Sequence, residues 1–99
     1  MLIHSVFFYL KPELSAADRA AFAEGVATLG TISALEAFYL GRPAATEKRP
    51  VIDDTYDYAI TCVLADVAAQ NAYQVDPIHL AFIAAHKDKW ATVKIYDAE

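Results

Sequence analysis

The stretch Leu2-Ile3-His4-Ser5-Val6-Phe7-Phe8-Tyr9-Leu10-Lys11 decides the fold. Its β-branched and aromatic residues favour an extended chain, and Pro12 stops it. Side chains alternate across a strand, so His4, Val6, Phe8 and Leu10 share one face and Ile3, Ser5, Phe7 and Tyr9 the other. Both sets are largely apolar, the pattern of a strand covered on both sides. Such a strand needs partners along its edges and a layer over each face.

Reading onward, Ser15 has the character of a helix N-cap, with Asp18 doing part of the work of a capping-box Glu. Phe22, Val26 and Leu29 then recur at helical spacing on an Ala-rich background, and Gly30 reads as the C-terminal stop. A second strand is expected from Ala34 to Arg42. The polar run from Ala44 to Asp54 reads as an exposed loop. The third strand spans Tyr56 to Leu64, with Tyr58, Ile60, Cys62 and Leu64 on one side. Asp66 can cap a short helix reaching about Gln74. Asp76-Pro77 starts another, with Asp as N-cap and Pro at the first helical position. On it His79, Phe82, Ile83, His86 and Trp90 fall on or near one face. Ala91 to Tyr96 forms the last strand.

The order β-α-β-β-α-β is the split βαβ of a ferredoxin-like α+β fold, with a four-stranded antiparallel sheet. Right-handed crossovers place both helical segments on one face. That face takes the more uniformly apolar set, Val6, Phe8, Leu10, Ile60, Cys62, Leu64, Val93 and Ile95. The opposite face carries Ile3, Phe7, Tyr9, Val63 and Tyr96 among Ser5, Thr61 and Lys94, and no helix remains to cover it. An aromatic face of that size is an association site. A second copy packed against it closes a barrel, so the expected partner is a homodimer through the sheet face.

Composition narrows the rest. The 99 residues suit one domain over 1–99, and 57% of them are apolar, above the about 45–50% usual for soluble domains. No apolar run approaches the ~20 residues that cross a bilayer, and no signal-peptide pattern opens the chain, so no membrane role is expected. A single cysteine, Cys62, rules out an internal disulfide and fits a cytoplasmic location. The net charge of −5 argues against nucleic acid as a partner. His79 and His86 are too far apart on one helix to share a metal without further ligands, and no Gly-rich phosphate loop is present. No metal or cofactor is expected.

Several segments taken together resemble a known family. They are His4-Ser5-Val6-Phe7-Phe8, Tyr39-Leu40-Gly41, Tyr73-Gln74-Val75-Asp76-Pro77-Ile78-His79 and Ile95-Tyr96-Asp97. In order and spacing they are similar to the stress-responsive A/B barrel pattern over almost the whole chain. The resemblance implies a dimeric α+β barrel. A plant member of that family closes linear polyketides by aldol condensation, without cofactor or metal, using a Tyr and a His at places matching Tyr73 and His79. A pocket His of that enzyme matches His4. This chain departs from the pattern at Asp76, where the family usually has His. It departs again at Tyr58, where the plant enzyme has a further pocket His. Of the aromatics that line the plant enzyme's alkyl tunnel along the first helix, only Phe22 is retained, with Ala23 and Val26 at the other places.

Strand parity puts His4 and Tyr58 on the helix-facing side, with His79 at the start of the covering helix and Tyr73 in the turn before it. These four are expected to converge at one end of the space between sheet and helices, above walls that include Phe8, Phe22 and Ile60. An imidazole of ordinary pKa ~6.5 can accept a proton at neutral pH. A nearby phenol can orient it or steady an enolate. His79 and Tyr73 are thus the candidate catalytic residues, and a small hydrophobic or aromatic carbonyl compound is the candidate ligand. The expected chemistry is proton abstraction beside a carbonyl, as in cyclisation or isomerisation, and a cavity of ~300 Å³ or more should reach His79. The alternatives are a non-enzymatic stress-related dimer and a cofactor-free monooxygenase of the kind found among wider dimeric-barrel relatives.

Overall fold

A computed structural model describes all 99 residues. Four strands form one antiparallel sheet in the order β2-β3-β1-β4, namely β1 (Leu2–Leu10), β2 (Ala37–Gly41), β3 (Tyr58–Leu64) and β4 (Trp90–Ala98). Three helices, α1 (Ala16–Thr28), α2 (Val67–Val75) and α3 (Pro77–His86), complete the ferredoxin-like fold. The helix starts obey local chemistry. Ser15 Oγ accepts from the N–H of Asp18, Asp66 from that of Ala69, and Asp76 from that of Ile78, with Pro77 in the first turn of α3.

The core lies between helices and sheet. Along β1 buried and half-buried residues alternate strictly, with Leu2, His4, Val6, Phe8 and Leu10 on the helix side. Across it, β3 contributes Ile60, Cys62 and Leu64, and the helices contribute Phe22, Val26, Tyr73 and Phe82. The second face of β1 is only half-buried, so the layer expected over it is not supplied by the chain itself.

Four local expectations need correction. Gly30 does not end α1 in a left-handed turn, since no glycine has positive φ. It sits in a 3₁₀ turn (Leu29–Thr31), where an added Cβ would lie 2.7 Å from the Phe38 ring. Trp90 is not on α3 but opens β4, stacked on Phe82. Tyr73 lies within α2 rather than in the turn after it. Val93 and Ile95 do point to the helix side, opposite Phe8 and Val6, yet they are 36% and 52% exposed. They lie on an edge strand that the helices meet at Trp90 and leave largely open beyond it, which parity alone could not reveal.

Candidate functional site

His4 enters the site from β1, where it pairs with Cys62 of β3 and Asp97 of β4. It is the one buried polar residue, 3% exposed, and its Nδ1 lies 2.5 Å from the Asp97 carboxylate. A carboxylate at that distance accepts a hydrogen bond from Nδ1–H, which fixes the tautomer and leaves the Nε2 lone pair free in the neutral ring. The Gln70 amide of α2 stands 3.4 Å from the same Nδ1.

One turn further along α2, Tyr73 is wedged edge-on between two imidazoles, with ring centroids 5.7 Å from His4 and 5.0 Å from His79. Its hydroxyl accepts a hydrogen bond from the Cys62 thiol at 3.7 Å. Burial pushes the thiol up to about 11 and raises the phenol well above its ordinary value, so both groups stay uncharged. Tyr73 can donate a proton to a hydrogen bond but not ionise.

The Asp76 cap and Pro77 fix the first turn of α3, and that turn delivers His79. Burial lowers the His79 pKa, and the neighbouring His4 lowers it further. Its Nδ1 is buried and has no hydrogen-bond partner. The Gln74 backbone lies near enough to the ring to favour its protonation in opposition to burial, so the imidazole stays neutral yet has a group beside it that steadies an accepted proton.

His4, Tyr73 and His79 line one cavity of about 120 Å³ with otherwise mainly apolar walls that include Phe8, Ile60 and Phe82. Val93 and Ile95 form its side on β4. The volume is well below the ~300 Å³ expected, and no Lys or Arg lines it. No three His, Cys, Asp or Glu side chains come together that could hold a metal ion.

Two of the expected residues lie elsewhere. Tyr58 pairs with Phe8, four residues along β3 from Cys62, which is roughly 13 Å of strand away from His4. Its ring packs on Phe22, with the Arg42 guanidinium 5.2 Å above it. Phe22 is wholly buried against Phe8 and Phe82, a core residue and not a cavity wall. Asp97 is a further site residue, one step beyond the strand end expected at Tyr96; the alternation Val93, Ile95 continued by two residues reaches it.

Sheet order, helix placement and this cavity define a ferredoxin-like α+β protein with two histidines and a tyrosine gathered between helices and sheet. The family model for the stress responsive A/B barrel domain matches residues 2–99, and the chain belongs to that family. No curated protein matches its sequence. Among solved structures it is similar to a dimeric ferredoxin-like protein of unknown function from Thermobifida fusca, at 18% identity and TM-score 0.77, covering 98% of this chain and 88% of that one. A family protein with a ferredoxin-like fold from Mesorhizobium loti gives 24% identity and TM-score 0.76, with 99% and 94% covered. A hydroxynitrile lyase from Passiflora edulis gives 18% and 0.77, with 98% and 90% covered. At these identities the likeness establishes the fold.

Proposed function

We propose that this protein is a homodimer, joined through its sheet faces, that binds a compact uncharged carbonyl compound in the helix-side cavity and uses His79 to remove a proton beside the carbonyl. The observation that carries the reading is one cavity lined together by His79, Tyr73 and His4, with the His79 imidazole held neutral by burial. In the reaction His79 takes the proton, and the C–H electron pair moves into the bond between Cα and the carbonyl carbon. The resulting enolate oxygen accepts a hydrogen bond from the Tyr73 hydroxyl, whose own proton is not committed to Cys62. His4, held by Asp97, forms the second polar wall. Cyclisation or isomerisation follows according to where the enolate carbon next bonds.

The cavity volume favours a second reaction of the same base. A space of about 120 Å³ without cationic lining suits a ligand of few heavy atoms. One solved relative is named a hydroxynitrile lyase. A hydroxynitrile is small and uncharged, and its cleavage starts when a base takes the hydroxyl proton. The electron pair left on oxygen then forms the C=O π bond, and cyanide leaves with the C–C pair.

Proton NMR in D2O with compact ketones, β-keto esters and hydroxynitriles separates these readings. Protein-dependent exchange at the α-carbon, or cleavage, should fall by about 10² or more in His79→Gln while the dimer persists. If the wild-type protein neither exceeds buffer nor shifts its amide spectrum at millimolar ligand, the non-enzymatic dimer is the correct reading.

A further inference from the structure

The sheet face turned away from the helices holds a second cavity, of about 160 Å³, formed by Phe7, Tyr9, Tyr56, Tyr96, Lys94 and Asp53. Lys94 stands on β4 opposite Phe7 of β1. Asp53 and Tyr56 come from the segment joining β2 to β3, which folds back over this end of the sheet and sets Tyr56 edge-on to Phe7. The two charges share the cavity without touching. The ion pairs of the protomer are His4–Asp97, Arg19–Asp57 and Lys48–Asp54, and neither Lys94 nor Asp53 belongs to one. The Lys94 ammonium rests over the Tyr9 ring at 4.9 Å, and Asp53 accepts only from the backbone N–H and hydroxyl of Thr55.

We infer that the occupant of this face is a second copy of the chain, oriented so that Lys94 of one protomer pairs with Asp53 of its partner and the reverse. The inference rests on the homodimer proposed above and adds its register. A two-fold axis lying in the interface and passing between the two residues sets each ammonium against a carboxylate, so a single complementary pair makes two bridges. An axis through Lys94 would instead oppose two ammonium groups. Each copy carries a net charge of −5, which resists association, and local pairing of opposite charges is what offsets it. Thr55 holds the Asp53 carboxyl below its usual range and Tyr9 holds the Lys94 ammonium above its own, so both remain charged at neutral pH. The phenols around them suit such a seam, being apolar across the ring and able to hydrogen-bond at the tip.

Charge reversal tests the register. Sedimentation velocity in 0.15 M NaCl should show the dimer of Lys94→Glu or Asp53→Lys weakened by about tenfold or more. The double reversal should restore it to within about threefold of wild type, because the pair is rebuilt with its signs exchanged. Carbodiimide cross-linking of a mixture of unlabelled and 15N-labelled protein should yield a Lys94–Asp53 peptide of mixed label. Single variants as tight as wild type, a double variant no tighter than the singles, or the absence of the mixed peptide would each overturn the pairing. A wild-type protein that is monomeric at 0.1 mM removes the dimer itself, an outcome distinct from a dimer indifferent to these charges.

Discussion

Protonating His79 is harder in the folded chain than in water, because the charge would sit in a mainly apolar wall close to His4. His86, packed on Phe22 and Phe82 with Lys89 beside it, is lowered in the same direction by burial and by that ammonium. The unfolded chain, with imidazoles near ~6.5, therefore binds protons at a pH where the folded chain does not. The stability these groups provide is complete above the unfolded value and is lost as pH falls toward the lowered folded values. Urea unfolding should accordingly show falling stability between pH 6.5 and 5. The fall should be shallower in His79→Gln; a variant whose profile runs parallel to wild type would mean that His79 is not the group being titrated. At this scale His4, Tyr73 and His79 were legible as residues with chemistry. Asp97 was not, because its meaning depends on a strand 93 residues away in sequence.

At the scale of elements, α1 and α3 approach so closely that Gly25 carries the contact. A Cβ built there would meet the His86 imidazole at 2.2 Å. Gly25→Ala adds about 1 kcal/mol of helix propensity, but it drives that ring out of its packing on Phe22 and Phe82. Thermal unfolding should show a net loss of up to about 2 kcal/mol. In a His86→Ala background the same change should instead stabilise by about 1 kcal/mol, since the obstacle is gone. A loss in both backgrounds would locate the constraint in the α1 backbone rather than at His86. Helix starts could be read directly, because a cap is a bond between residues two or three apart, as at Ser15, Asp66 and Asp76. The end of β4 could not, because Ala98 is strand only through its pairing with Ile3.

For the molecule as a whole, the governing fact is thinness. The Cα atoms occupy 35 × 32 × 18 Å, one sheet and one helical layer, and only 14 of 99 residues are buried. So small a core leaves a narrow stability margin, which a partner on the open face would widen. If folding and association are coupled, the unfolding temperature must rise with protein concentration, by about 3 °C for each tenfold increase in a domain of this size. Calorimetry from 10 to 500 µM measures this. A midpoint independent of concentration would mean that the protomer stands alone.

The sequence by itself determined the elements, their order, the family and the helix-facing side of the central strands. Those follow from caps, breakers and a period of two, signals that act within a few residues and survive without tertiary context. Only the tertiary structure decided that Asp97 holds His4, that Tyr58 lies at the far end of the sheet, and that Val93 and Ile95 stay exposed at the cavity's edge. It alone also set the cavity at about 120 Å³. Parity tells which face a side chain takes but not how far along the sheet it falls or what covers it. Register and packing set those, and both come from contacts between segments far apart in the chain.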